Sequence, residues 1–211
     1  MIGPSSSHTA GAARLARAAA LIAGKPFKVV TFGLSGSFAK TGKGHGTEKA
    51  LLAGALGLAA DDERIRQIEK IAAKQGVESV FYQEDLDWMH ENAVHISFFH
   101  ADGSITEVWG ASIGGGRIRV RRIGSLRLDI STDYPTLILP HLDLPGVVSE
   151  VSGVLAKSGL NIAVMRMSRE GRGKMSMMVI ELDASPSAEV VEELRRVEHV
   201  TEVALVDLPQ L

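Results

Sequence analysis

The sequence of 211 residues contains no cysteine. Disulfides, a cysteine nucleophile and an iron–sulfur cluster held by thiolates of this chain are therefore excluded. Aromatic residues make up only 5% and the formal net charge is −2, so composition gives no electrostatic case for nucleic acid as a partner. No stretch approaches the about 20 consecutive apolar residues of a membrane helix. Residues 10–23 are apolar but lack the charged start of a signal peptide. We therefore expect a cytoplasmic protein with no membrane partner.

Hydrophobic residues make up 45% of the chain and charged residues 23%, which is typical of a globular protein. The length suits one or two domains with a sizeable core. A basic run, in which arginines alternate with Ile and Val, comprises Arg117, Arg119, Arg121 and Arg122. This alternation predicts a strand with a solvated face.

The N-terminal stretch combines hydroxyl side chains with a histidine. The residues around His8 are Ser5, Ser6, Ser7 and Thr9. Alanine-rich residues 10–23 follow, and they predict a helix that is entered from a polar loop. Free N–H groups at a helix start favour a carboxylate or phosphate, and histidine transfers protons near neutral pH. The alternative interpretation is an ordinary serine or threonine cap beside a surface histidine.

A second polar stretch, residues 35–47, lies between a predicted strand at 27–34 and a predicted helix at 47–58. Its four glycines and two lysines predict a ligand-binding loop, because glycine lets backbone N–H groups turn toward a ligand and lysine supplies charge. Nucleotide binding is disfavoured, since Gly44 follows Lys43 where a P-loop requires Ser or Thr. A flexible connector is the alternative.

Two further clusters leave more than one interpretation open. Gly114, Gly115 and Gly116 predict either a close backbone approach to a ligand or a simple turn or bulge. Residues 85–90 contain two aspartates and a histidine, which predict an exposed acidic turn rather than a metal site. We therefore assign no metal ligand to this chain.

Periodicity predicts the remaining elements of the first part of the chain. Apolar residues at helical spacing predict a helix at 61–75, and Asp102-Gly103 is typical of a hairpin turn. Strands are predicted at 77–82, 94–99, 105–109, 117–123 and 126–130. Polar residues 131–133 are interpreted as a linker.

From residue 134 the pattern changes to four strands and two helices. The strands are predicted at 136–139, 161–167, 175–182 and 200–206, and the helices at 147–157 and 187–196. This order is βαββαβ, a split β-α-β arrangement. Methionines 165, 167, 175, 177 and 178 are interpreted as packing a core or a dimer face.

Three stretches carry a resemblance to a known family: residues 3–11 (GPSSSHTAG), 36–47 (GSFAKTGKGHGT) and 112–116 (SIGGG). They closely resemble the β chain of the iron–sulfur-dependent bacterial L-serine dehydratases, and the resemblance runs the whole length of the chain. Residues 135–211 look like an ACT domain. Residues 1–131 look like the domain that serves as an allosteric substrate-binding module in some phosphoglycerate dehydrogenases. The implied fold class is α+β, an N-terminal α/β domain followed by a βαββαβ ferredoxin-like ACT domain.

The resemblance implies conversion of L-serine to pyruvate and ammonia in a site shared with a separate α chain. In that family the [4Fe–4S] cluster belongs to the α chain, which agrees with the absence of cysteine here. The implied partners are the α chain, L-serine and a second copy of this chain, paired through the ACT domain. The chain is expected to be inactive alone.

The resemblance also implies roles for individual residues. His8 is the candidate base, with His45 as the alternative, and Lys43 completes an anion site or stabilises developing charge. The candidate substrate-binding residues are Ser5, Ser6, Ser7, Thr9, Gly36, Ser37, Gly114 and Gly115. The candidate effector-binding residues are Asp143, Leu144, Pro145, Gly146 and Asn161.

The same residues also fit a different class of function. The chain would then be a non-catalytic regulatory module that binds a small amino or hydroxy acid. A dehydratase dependent on pyridoxal phosphate fits less well, because no stretch suggests a lysine in the usual context of that cofactor.

Overall fold

The computed structural model describes residues 6–209, except for the side chains of residues 6–7 and 41–45. The chain divides into two compact units. The first ends at Ser131 and the second begins at Thr132, with Ser125–Leu128 grouped with the second. The fold class is α+β, as predicted, with an ACT domain at the C-terminus.

A six-stranded sheet forms the framework of the first unit, in the order β2-β1-β3-β4-β5-β6. The strands are β1 (Phe27–Leu34), β2 (Glu78–Gln83), β3 (Ala93–His100), β4 (Ile105–Gly114), β5 (Arg117–Ile123) and β6 (Leu126–Ile130). β1 and β2 are parallel, whereas β1 with β3, β3 with β4, and β4 with β5 are antiparallel. The Asp102-Gly103 hairpin between β3 and β4 is confirmed, and Gly103 adopts a φ of 82°.

The helices of the first unit are α1 (Ala12–Ala23), α2 (Gly36–His45), α3 (Thr47–Ala55) and α4 (Ile68–Lys74). A π-helical segment, Ser6–Gly11, precedes α1, and a 3-10 turn, Glu63–Gln67, precedes α4. α1 packs closely on α3 and also contacts β3, β4 and β5. Most of its alanines and Leu15 are almost fully buried there, so small side chains bring helix and sheet close together.

The structure corrects two sequence predictions in this unit. Residues 36–45 form helix α2 rather than a polar loop, although glycine is a poor helix former. The fully buried Phe38 anchors this helix, so tertiary packing overrides the local propensity. The prediction of a polar loop directly before α1 is also wrong. The helical backbone begins at Ser6 and continues through Gly11, whose φ and ψ are −64° and −40°.

The second unit has the predicted βαββαβ order. Its strands are β7 (Thr136–Leu142), β8 (Ile162–Arg169), β9 (Met175–Leu182) and β10 (Ala204–Val206), and its helices are α5 (Val147–Lys157) and α6 (Ala188–Arg195). The sheet order is β10-β7-β9-β8, with antiparallel neighbours throughout. Leu137, Leu139, Met178 and Ile180 belong to a core that also contains the apolar faces of α5 and α6.

Across the described part of the chain, none of the helices is both long and apolar enough to cross a membrane.

Candidate functional site

His8 lies in the π-helical segment Ser6–Gly11, directly before α1. One-turn π-segments are rare and occur frequently at functional sites. The side chain of His8 is half-buried, and the following residue, Thr9, is 2% exposed. The segment contacts α1, α2, α3, β4 and β5, so helices and strands of the first unit surround the histidine.

The first turn of α2 supplies a hydrogen-bond partner of His8. Nε2 of His8 lies 3.1 Å from Oγ of Ser37, and the tautomer of the ring decides which of the two donates. The ring of His8 also meets Phe38 edge-to-face, with 5.4 Å between ring centroids. A fixed ring with one nitrogen held by a hydroxyl is a suitable arrangement for a proton-transfer group.

Gly36 places the start of α2 against the segment before β3. Its φ is +56°, and an added Cβ would lie 2.2 Å from the carbonyl oxygen of Glu91. The N–H of Ser37 donates to that same oxygen over 2.7 Å. The role of Gly36 in binding substrate stays a prediction. The structure shows that this glycine permits a close backbone contact, which helps to position Ser37 next to His8.

Two buried polar side chains in this region were missed as site residues by sequence reasoning. The Oδ1 atom of Asn92 and the Oγ atom of Ser112 have no hydrogen-bond partner in the part of the chain that the structure describes. Asn92 is 6% exposed and Ser112 is fully buried. Ser112 opens the Ser-Ile-Gly-Gly-Gly stretch, so its motif was visible in the sequence, whereas no sequence signal marks Asn92.

Gly114 and Gly115, predicted to bind substrate, lie where β4 turns into β5. Their φ values are 99° and 60°, and a Cβ added to either would meet nothing within 4 Å. The positive φ values explain why glycine is required here, since the turn is tight. The hairpin is at the same end of the sheet as Ser112, because Gly114 pairs with Arg117.

Several other predicted site residues lie wholly or partly outside the part of the chain that the structure describes. Ser5 is not among the described residues, and the side chains of Ser6, Ser7, Lys43 and His45 are not described. The backbones of Lys43 and His45 belong to α2, six and eight residues after Ser37. At about 1.5 Å per residue, they lie roughly 9 and 12 Å along the helix from Ser37. Their roles stay predictions.

This chain does not provide the ligands of an iron–sulfur cluster. It has no cysteine, and among the described residues no group of three His, Asp or Glu side chains is arranged to hold a metal ion. Thiolates are the usual ligands of such clusters. The residues present therefore do not fit this cofactor.

A separate polar cluster centres on His95 in β3. Nδ1 of His95 lies 3.0 Å from Glu84 and Nε2 lies 3.2 Å from Glu107, while the ring stacks on Trp109 at 4.0 Å. The Arg122 guanidinium lies 4.2 Å from the centre of the Trp109 ring. Burial, together with the negative charge of Glu84, raises the pKa of the neighbouring Tyr82. Because His95 is held by hydrogen bonds and stacking on several sides, the arrangement indicates a structural role.

The predicted effector-binding residues do not lie close together within a single chain. Gly146 precedes α5 with a φ of 99°, and Asp143 accepts a hydrogen bond from Arg169 over 3.1 Å. Asn161 instead donates to Asp183 over 2.6 Å. Asp143 lies beside the start of β9 and Asn161 beside its end. At about 3.3 Å per residue, these ends are roughly 23 Å apart.

Comparison with known proteins decides the family. Residues 1–79 match the family described as serine dehydratase beta chain, and residues 138–199 match the ACT domain family. The chain is 36% identical over 203 residues to a probable L-serine dehydratase beta chain of Bacillus subtilis, covering 96% of this chain and 92% of the relative. This chain is a member of the L-serine dehydratase beta-chain family.

Other relatives agree with this assignment. The L-serine dehydratase beta chain of Peptoniphilus asaccharolyticus is 35% identical over 209 residues, covering 99% of this chain and 94% of the relative. A D-3-phosphoglycerate dehydrogenase of Methanocaldococcus jannaschii is 34% identical over 71 residues, covering 34% of this chain and 14% of that enzyme. The similarity to beta chains is thus nearly full-length, whereas the similarity to this dehydrogenase is confined to a short segment.

Proposed function

We propose that this chain is the β subunit of an L-serine dehydratase that converts L-serine to pyruvate and ammonia together with an α chain. The proposal rests above all on one observation: a beta-chain relative that aligns over nearly its full length is named for this reaction. In this chain His8 is held against Ser37, and its segment contacts α1, α2, α3, β4 and β5. The [4Fe–4S] cluster is assigned to the α chain, because the residues of this chain do not fit it.

The part of the reaction that falls to this chain is proton removal from Cα of serine. His8, as a neutral imidazole, takes that proton, while the hydrogen bond to Ser37 holds the ring in place. Loss of the β-hydroxyl leaves an enamine, which tautomerises to an imine and hydrolyses to pyruvate and ammonia. The serine-rich stretch before α1 binds the substrate carboxylate. Lys43 and His45 are assigned to stabilising negative charge along α2.

The ACT domain is assigned to pairing two copies of the chain. β8 is an edge strand of eight residues without proline, whereas the opposite edge, β10, has three residues. An edge strand of that length is normally paired or covered. Met167 on β8 is 47% exposed. These features favour side-by-side association of two ACT sheets through β8.

Antiparallel pairing of two β8 strands would also complete the effector site. It would place the start of β8 in one copy beside the end of β8 in the other. Asn161 precedes that start, and Arg169, which binds Asp143, is that end. The effector residues that lie apart in one chain would then face one another across the dimer. The turn 143–146 at the head of α5 suits the carboxylate of an effector.

Reconstitution with an α chain tests the catalytic proposal. The wild-type pair should form pyruvate from L-serine, whereas this chain alone should be folded, colourless and inactive. His8→Ala should lower the turnover of the pair by roughly two to four orders of magnitude, the usual scale for loss of a general base. His199→Asn is the matched control, because His199 lies in the ACT unit and asparagine tolerates its φ of 69°.

Three results would contradict the proposal. Pyruvate formation by the rigorously purified chain alone would exclude a shared active site. A normal turnover number for His8→Ala would remove His8 as the base and favour His45. An inactive wild-type pair in which this chain still binds L-serine would support the regulatory alternative, which has in its favour the partial similarity to phosphoglycerate dehydrogenases.

A further inference from the structure

Asn92 and Ser112 each bury a polar atom that lacks a hydrogen-bond partner among the described residues. Most buried polar side-chain atoms in folded proteins are hydrogen-bonded, because burying one without a partner is unfavourable. Both side chains are more than nine-tenths buried. A role in binding explains why such unfavourable positions are occupied by polar residues.

The two residues are direct neighbours. Ala93 pairs with Ala111 across β3 and β4, so the next residues outward, Asn92 and Ser112, lie opposite each other. The N–H of Ser112 donates to the carbonyl oxygen of Asn92 over 3.0 Å, which confirms this register. Side chains of opposite residues have Cβ atoms about 4.5–5.5 Å apart and share one face of the sheet. The unpartnered oxygens therefore belong to side chains that are neighbours on one face of the sheet.

That face is the one against which α1 packs. Gly110, two residues before Ser112 on β4, faces Leu15 of α1, and an added Cβ would lie 2.5 Å from that side chain. Side chains two residues apart on a strand point to the same face. Ser112 thus points toward the layer that contains α1 and, directly before it, the segment of His8.

The His8 segment is connected to this pair of residues through a series of contacts. The segment contacts β4, and His8 is 3.1 Å from Ser37. The N–H of Ser37 donates to the carbonyl of Glu91, which immediately precedes Asn92. One continuous set of contacts therefore runs from His8 through Ser37 to Asn92 and Ser112.

We propose that Asn92 Oδ1 and Ser112 Oγ bind the ammonium group of an α-amino acid beside His8. An amide oxygen accepts hydrogen bonds and cannot donate them, and a hydroxyl oxygen accepts as well. Two neutral acceptors on neighbouring strands therefore suit a ligand group with several N–H donors, and the amide oxygen of Asn92, which cannot donate, disfavours a carboxylate. Because the ligand is taken to be the amino-acid substrate, this assignment rests on the proposed function and adds a binding subsite to it.

Ser112→Ala in the assembled enzyme is the primary test. Removal of an unpartnered hydroxyl should leave the thermal midpoint of this chain unchanged or raised, since no internal hydrogen bond is lost. KM for L-serine should rise about tenfold or more, the scale of one lost hydrogen bond to a charged group. Asn92→Ala should raise KM in the same direction.

Ser176→Ala is the matched control. Ser176 is equally buried, but its hydroxyl donates to the carbonyl of Ser168 over 3.1 Å. Its removal should lower the thermal midpoint and leave KM unchanged. The comparison of Ser112→Ala with Ser176→Ala separates a binding role from a structural role. If the role of Ser112 were structural, both variants would have a lowered thermal midpoint and an unchanged KM.

Two substrate analogues identify the ligand group. L-Alanine keeps the ammonium and lacks the hydroxyl, whereas 3-hydroxypropionate keeps the hydroxyl and lacks the ammonium. Weaker inhibition of the Ser112→Ala enzyme by L-alanine, with inhibition by 3-hydroxypropionate unchanged, supports the assignment. The reverse pattern would overturn it, as would an unchanged KM in both variants.

An inactive wild-type pair would count against the proposed function and still leave the subsite testable. In that case the full-length chain alone is titrated with L-alanine, and its thermal midpoint is followed. Stabilisation of the wild type that is lost in Ser112→Ala would support the ammonium subsite. Equal stabilisation of both proteins, or of neither, would refute it.

Discussion

Gly54 offers the most direct test of how the His8 segment is held. Gly54 lies in the last turn of α3, where α3 packs on α1. A Cβ added at this position would lie 2.0 Å from the carbonyl oxygen of Ala13 and 2.8 Å from its carbonyl carbon. Both atoms belong to the backbone, so no side-chain rotation relieves the clash. Gly54→Ala must therefore push α1 and α3 apart.

The expected cost follows from two opposing effects. Overpacking in a well-packed core costs about 1–3 kcal/mol, and a backbone clash belongs at the upper end of that range. Replacing a helical glycine with alanine gains up to about 1 kcal/mol. We therefore expect Gly54→Ala to lower the free energy of unfolding by about 1–2 kcal/mol. Chemical denaturation of the full-length chain, followed by circular dichroism, measures this change.

Gly153→Ala is the matched control, because Gly153 also lies inside a helix, α5, but an added Cβ there meets nothing within 4 Å. That variant should gain a few tenths of a kcal/mol to about 1 kcal/mol. Gly54→Ala should also lower the turnover of the assembled enzyme, since α1 continues directly from the His8 segment. Equal stability changes in the two variants would refute the role of close backbone packing at Gly54.

Two other predictions concern the ACT edge and an exposed carboxylate. Light scattering should give the full-length chain the solution mass of a dimer. Met167→Lys should shift this mass toward that of a monomer, because it places like charges on the two β8 strands that pair. A monomeric wild type would refute the pairing. The hydrogen bond from the Arg64 side chain lowers the pKa of Asp62 to about 2. This group therefore contributes stability above its ordinary pKa of 3.8, and the contribution is lost as the pH falls toward 2. An NMR titration should show the low midpoint in the wild type and a higher midpoint in Arg64→Ala, which still keeps the hydrogen bond from the backbone N–H of residue 64. An unchanged midpoint would contradict the assignment.

Much of the fold was predictable because its elements follow simple periodicities. The alternating pattern of residues 175–182 and the helical spacing of residues 147–157 gave the observed bounds of β9 and α5. In the first unit, Asp102-Gly103 marked a real hairpin. These signals depend on local sequence alone, so tertiary contacts did not alter them.

Helix α2 was not predictable in the same way. Its glycines and polar residues favour a loop, and only the burial of Phe38 in the core makes the helical path favourable. The site was partly predictable for a related reason. His8 and Ser37 stand in recognisable motifs, but their hydrogen bond joins residues 29 positions apart. Asn92 carries no motif, and its importance depends on a missing partner that only three-dimensional packing reveals.

Two groups of glycines near the site serve different physical purposes. Gly114 and Gly115 have positive φ values and open space around them, so they serve the turn between β4 and β5. Gly36, Gly54 and Gly110 instead meet neighbouring atoms at 2.0–2.5 Å from an added Cβ. These three lie on α2, α3 and β4, which are among the elements that contact the His8 segment. Packing therefore explains why glycine occupies these three positions. Close contacts at Gly36, Gly54 and Gly110 let the elements that carry the histidine, Ser37 and the Asn92–Ser112 pair approach one another.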